Sequence, residues 1–180
     1  MAKTILLLRH AKSSWRNPGL GDFDRPLNQR GSEAAPRMGR YMKQQGLVPD
    51  LVLCSAACRA LQTWDLVAEA LDAGSSDADI QVKRLRSLYL ASPMRLLDAL
   101  RRAPDEADSL LLIGHNPGME RLAARLSGAG SRPEALARLE AKFPTGALAE
   151  LQSEAATWSD LTERSAKLTR FVVPRELPAC

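Results

Sequence analysis

Short apolar runs alternate along this chain with longer stretches of helical periodicity. Residues 4–8, 50–55 and 109–114 are rich in Leu, Ile and Val, as strands are when helices cover both faces of their sheet. Residues 28–45 and 59–71 repeat apolar positions at helical spacing, the first with Asn28 as a cap and Gly46 as a stop. Pro36 inside that first helix predicts a kink or a later start. Residues 80–85 predict a short edge strand, and Ser92 with Pro93 forms a cap and first-turn pair for a helix reaching Arg102. Pro117 and Gly118 turn the chain into a helix ending near Leu126. Residues 73–79 read as a small-residue turn and 127–133 as loop, residues 147–152 and 167–173 as two weaker strands, and residues 174–180 as a loose tail. The alternation predicts an α/β protein, a three-layer α/β/α sandwich around a largely parallel sheet.

At 180 residues the chain is read as one domain, 1–180, large enough to bury a core without staples. Three cysteines, Cys54, Cys58 and Cys180, are an odd number and are read as free thiols of a reducing compartment. Ile5 to Leu8 is too short for the ~7 to 15 apolar residues of a secretory leader or the ~20 of a membrane span. The expectation is a cytoplasmic protein without a membrane partner. Its net charge of +4 rests mainly on scattered Arg, and no basic run interleaved with aromatics marks a nucleic-acid surface. Trp15, Trp64 and Trp158 are read as core or rim packing. Oligomeric state leaves no mark on the pattern.

The two histidines of the chain both stand where an apolar run breaks off. Arg9 and His10 follow the first strand, and Gly114 and His115 end the third. A parallel sheet collects its ligands just beyond the carboxyl ends of its strands, so both imidazoles are expected at one sheet edge. The segment from Ser55 to Thr63 brings Arg59 to that edge. Two guanidiniums and two imidazoles make a cage for a tetrahedral dianion, with a helix starting near Gly118 adding backbone N–H groups. A phosphorylated substrate fits that cage. Surrounding positive charge keeps an imidazole neutral and able to attack phosphorus. The loop over residues 11–26 is longer than a simple connection. Lys12 and Ser13 are candidates to touch phosphate from it, and Asp24 is a candidate acid.

At this constellation the chain resembles the histidine phosphatase superfamily, whose signature of Arg-His-Gly on the first strand reads here Arg9, His10, Ala11. The block Ser55, Arg59, Ala60, Gln62, Thr63 and the late pair Gly114, His115 extend the resemblance over residues 3–150. Asp24 to Leu27 ahead of Gly31, and the segment from Ser87 to Ser92, are most similar to SixA-type phosphohistidine phosphatases. The resemblance implies a phosphoglycerate mutase-like fold, His10 as nucleophile, and Arg9, Arg59 and His115 as the phosphate pocket, with neither metal nor cofactor. Ala11 replaces the usual glycine and is expected to take a negative φ. Residues 85–93 carry no carboxylate where many superfamily phosphatases keep a proton donor. Such acids contribute about 10²- to 10⁴-fold, so their lack favours a nitrogen leaving group, as in a phosphohistidine-bearing relay protein, over an ordinary sugar phosphate.

Other chemistries fit less well. Cys54 and Arg59 have four residues between them, one too few for the cysteine loop of protein tyrosine phosphatases. Asp22, Phe23, Asp24 imitates the aspartate pair of haloacid dehalogenase-like phosphatases but follows Pro18 to Gly21 instead of a strand. A metal centre needs three or more clustered His, Asp or Glu, and no such set stands out. Mutase-like phosphotransfer on a small phosphoester and a catalytically silent phospholigand-binding module remain open alternatives.

Overall fold

Four parallel strands make up one side of a six-stranded sheet, and two further strands extend it on the other side through antiparallel pairings. A computed structural model describes residues 2–72 and 80–179; the small-residue turn expected over 73–79 lies outside the described residues. The strands are β1 (Lys3–Arg9), β2 (Leu51–Ser55), β3 (Gln81–Leu85), β4 (Ser109–Gly114), β5 (Leu148–Ser153) and β6 (Ala166–Val172), in the spatial order β3-β2-β4-β1-β5-β6. β1, β2, β3 and β4 are mutually parallel, while β5 pairs antiparallel with both β1 and β6. The helices are α1 (Gln29–Gln44), α2 (Cys58–Leu71), α3 (Pro93–Arg101), α4 (Gly118–Leu126) and α5 (Pro133–Ala141).

Side chains alternate across a strand, and that alternation divides the core in two. Leu6 and Leu8 of β1 pack with Val52, Leu111 and Ile113 beneath α1 and α2. Ile5 and Leu7 pack with Leu53, Leu110 and Leu112 on the opposite face, against α3, α4 and α5. The chain therefore leaves β1 and β2 toward one layer and leaves β4, which lies between them, toward the other. Crevices open where neighbouring strands send their connections to opposite faces, and the carboxyl ends of β1, β2 and β4 meet at such a place.

Asn28 caps α1 as expected, accepting from the Gly31 N–H at 2.9 Å. Pro36 neither delays nor ends that helix. An interior proline costs ~3 kcal/mol, and burial of Ala35, Met38 and Met42 against the sheet offsets it. The loop expected over 127–133 runs to Arg132, and α5, which the pattern did not disclose, follows with Pro133 at its first position and Ala135 and Leu139 buried. One expectation is corrected. From Pro174 the chain is not a loose tail at its start. Pro174–Glu176 forms a 3-10 turn with Pro174 buried, and Glu176 is ion-paired with Arg138 of α5. Among the described residues no helix is long and apolar enough to cross a membrane. Trp64 and Trp158 are core residues, whereas Trp15 is exposed and stacks on the Arg25 guanidinium.

Candidate active site

His10 is fixed by backbone before its side chain does anything. Its N–H donates to Gly114 O of β4 at 3.1 Å, and its carbonyl accepts from the Gly146 N–H at 3.1 Å. The next N–H, that of Ala11, donates to Thr63 Oγ1 on α2 at 3.0 Å, and Thr63 in turn donates to Arg59 O at 2.6 Å. Ala11 is fully buried and is not among the residues with positive φ, which among the described residues are Asp72, Leu90 and Arg164 besides glycines. Its methyl group packs in the core beside Leu8 and Ala60, so the departure from glycine carries no backbone strain.

The Nδ1 of the His10 ring lies 2.7 Å from Ala11 O. A carbonyl oxygen only accepts, so Nδ1 bears the proton and Nε2 keeps its lone pair. Arg59 Nε lies 3.3 Å from that Nε2, and the same guanidinium places Nη2 3.3 Å from Nδ1 of His115. Arg59 donates at both ends, which makes His115 Nδ1 an acceptor and leaves its Nε2–H to donate to Ser55 Oγ at 2.7 Å. Both imidazoles are buried, their centroids 5.0 Å apart. Burial first, then Arg59 and Arg9, holds His10 down to about 4, although its bond to Ala11 O opposes the shift. Burial, His10 and Arg59 hold His115 down to about 3. Both rings are neutral at pH 7.

Three strand ends thus bring together Arg9, His10, Arg59 and His115 around a cavity of about 310 Å³, which Lys12, Ser13 and Asn116 also line. Arg9 Nη1 is anchored on Phe143 O at 2.9 Å, and its buried Nε has no partner. Gly118 does not face this cavity. A Cβ there would lie 2.1 Å from Ala91 O, so glycine lets α4 start hard against the loop after β3.

The carboxylate in the cavity is Asp22, and the expectation for Asp24 is corrected. The 3-10 turn Asp22–Asp24 aims its first residue inward. Arg59 donates through Nη2 to Asp22 Oδ2 at 3.0 Å and through Nη1 to Asp22 O at 2.5 Å, Arg25 Nε donates to Asp22 Oδ1 at 3.0 Å, and the Tyr89 hydroxyl donates to Asp22 Oδ2. Asp24 is exposed, does not line the cavity, and acts electrostatically on Cys58. Asp22 was visible in the sequence as half of a paired-aspartate motif. What the sequence did not show is that a one-turn 3-10 segment points its two aspartates apart. The Tyr89 bond, with Arg25 and Arg59, holds the Asp22 carboxyl at about 2. It is an ionised acceptor, not a proton donor, at neutral pH.

Cys54 is removed from the chemistry by the same sheet. It is buried among Val52, Ala60 and Ile113, and burial pushes its thiol up to about 12. A group that remains a thiol at pH 7 is a poor nucleophile. Among the described residues no three His, Cys, Asp or Glu side chains gather as a metal site.

The neutral histidines make stability fall with acid. A histidine whose pKa is depressed in the folded state takes up its proton first in the unfolded chain, so stability is present above ~6.5 and is lost as pH falls toward the folded value. Each ring removes up to about 1.4 kcal/mol per pH unit in that window. Urea unfolding at pH 7.5, 6.0 and 5.0 is expected to show a progressive drop, absent in a His10→Asn, His115→Asn double variant. A wild-type midpoint constant across that range would mean that the rings are already charged or solvated.

A family model described as "Histidine phosphatase superfamily (branch 1)" matches residues 5–88. An uncharacterized protein of Mycobacterium tuberculosis is 36% identical over 169 residues, covering 93% of this chain and 100% of the relative. Among solved structures, one assigned by name as phosphohistidine phosphatase SixA from Agrobacterium tumefaciens is 30% identical with a TM-score of 0.76, covering 96% of this chain and 99% of that one. Another so assigned, from Nakamurella multipartitia, is 27% identical with a TM-score of 0.79, covering 96% of each chain.

Proposed function

This chain belongs to the histidine phosphatase superfamily, and on that footing we propose that it is a metal-independent phosphatase working through a covalent phosphohistidine on His10, with phosphohistidine of a protein as its substrate. The observation that carries the reading is the Nδ1 bond to Ala11 O, which leaves the Nε2 lone pair of a neutral ring facing the guanidinium of Arg59. In the first step Nε2 bonds to phosphorus as the bond from phosphorus to the leaving imidazole breaks, and that nitrogen takes its proton from water. In the second, water attacks the phosphorus on His10 as the bond from phosphorus to Nε2 breaks, releasing inorganic phosphate and restoring Nε2, and the proton that this water loses neutralises the hydroxide left by the first step. Arg9, Arg59 and His115 hold the equatorial oxygens, where preorganised donors are worth ~3 to 4 kcal/mol each. His115 then takes up the proton that burial denies it, because a dianion beside Nδ1 favours the imidazolium.

The nitrogen leaving group is favoured by the state of Asp22. It is the carboxylate lining the cavity, and Tyr89, Arg25 and Arg59 keep it ionised. An alkoxide needs a proton from an enzyme acid in the transition state, whereas a leaving imidazole can take its proton from water. A panel of phosphohistidine protein, aryl phosphate and sugar phosphates, read as kcat/KM, tests this. The expected order is phosphohistidine first, aryl phosphate next and sugar phosphate last by ~10²-fold or more. A sugar phosphate turned over as well as phosphohistidine would replace this substrate class with ordinary phosphoesters.

A further inference from the structure

The phosphoryl cavity shares part of its wall with a second, larger hollow whose chemistry the reaction does not use. It measures about 760 Å³, and Arg9, Lys12 and Thr145 line both cavities. Beyond that junction its walls carry Arg30 and Arg37 of α1, Arg138 and Lys142 at the end of α5, and Arg175 of the terminal turn, against the carboxylates Glu33 and Glu176. Glu176 is already ion-paired with Arg138. Arg37 has a buried Nε with no partner. The remaining lining includes apolar surface from Ala34, Pro144, Phe171 and Val173.

We propose that this hollow is a docking surface for an acidic segment of the phosphoprotein, lying beside the phosphohistidine that enters the cavity of His10. The inference rests on the phosphohistidine-protein reading above. The space is too large for a phosphoryl group and too basic to remain without an anionic partner in the complex. The arrangement of the charges favours a protein segment over a small polyanion. Arg30, Arg138, Lys142 and Arg175 are exposed and stand on three separate elements, so they form a rim around a partly apolar floor. Protein interfaces combine an apolar centre with a polar, solvent-accessible rim in this way. A small anion site instead converges buried donors on one point, as the cavity of His10 does. Rim charges steer encounter and select partners, so their signature is in KM and in salt dependence.

The test uses the full chain and two synthetic peptides bearing one phosphohistidine, flanked on both sides by Glu in one and by Gln in the other. At low salt the Glu peptide is expected to have ~10-fold higher kcat/KM, with the gain in KM, and to lose that advantage at 0.5 M NaCl. The triple variant Arg30→Glu, Lys142→Glu, Arg175→Glu changes exposed side chains only; it should erase the difference while turning over aryl phosphate as wild type does. A fluorescent, unphosphorylated Glu peptide should bind wild type and not the triple variant, a readout independent of turnover. Hydrolysis of neither peptide, with aryl phosphate still cleaved, would defeat the phosphohistidine reading, and the binding arm still judges the surface. Equal handling of the two peptides and equal binding to both proteins overturns the docking surface. So does inorganic tripolyphosphate binding the wild type tightly where the Glu peptide does not, which would make the hollow a small-polyanion site.

Discussion

Replacing His10 by alanine is expected to lower kcat by at least ~10⁴-fold on every substrate, because it removes the atom to which phosphorus bonds rather than a group that assists. The other nucleophile types nearby are poorly suited to take over: Cys54 is an un-ionised thiol in the core, and Asp22 is a carboxylate spread over three donors. The measurement has two arms. Quenching wild type during turnover of a labelled substrate should leave one label on His10 that is labile in acid and stable in alkali, as a phosphoramidate is. His10→Ala should carry none, and added imidazole should restore part of its turnover by occupying the position of the lost ring. Label on Asp22, labile in alkali, or on Cys54 would move the mechanism to another residue. The variant should fold, since the backbone of residue 10 is held by Gly114 and Gly146 rather than by the ring.

Much of this site was legible in the sequence because it is built at strand ends. An apolar run that stops at Arg9 and His10, and another that stops at Gly114 and His115, mark positions that a parallel sheet must bring to one edge, and register then pairs Arg9 with Gly114. Arg59 was legible for a related reason, standing in the first turn of the helix after β2. What the pattern did not disclose lies in segments where no period constrains direction. Asp22 and Asp24 sit in one short turn of a loop, and it is the long-range bonds to Arg59 and Tyr89, beside the local one to Arg25, that bring Asp22 into the cavity. α5 has a proline start and good helix formers, but Arg132 before it gives no side-chain cap, and its mixed Ala, Arg and Glu composition hides a narrow buried face of Ala135 and Leu139. The chain from Pro174 has the composition of a tail and is tied down by contacts made far away in sequence, with Arg138 among them.

Replacing Arg59 by alanine is expected to cost ~10³-fold in kcat/KM, since the one guanidinium stabilises charge on phosphorus and spaces the two histidines. Lysine should restore little. Its ammonium is a point charge, whereas Arg59 meets His10, His115 and Asp22 with three separate nitrogens of a planar fork. The structure also implies a counterpart of opposite sign. Asp22 holds the face of Arg59 that a phosphoryl oxygen must reach, so the carboxylate and the substrate compete for one cation. Asp22→Asn keeps the shape and removes the negative charge. Because the carboxylate is partly exposed, its competition is worth only ~1 kcal/mol, and KM for a phosphohistidine substrate should fall by about 3- to 5-fold with kcat nearly unchanged. If Asp22 instead donates a proton to the leaving group, Asp22→Asn lowers kcat, and most for the poorest leaving groups. Measuring Arg59→Ala, Asp22→Asn and the double variant closes a cycle. A competitor of Arg59 has nothing to compete for once the guanidinium is gone, so the gain from Asp22→Asn should vanish in the Arg59→Ala background. Its persistence there would show that Asp22 repels the substrate directly instead of through its hold on Arg59.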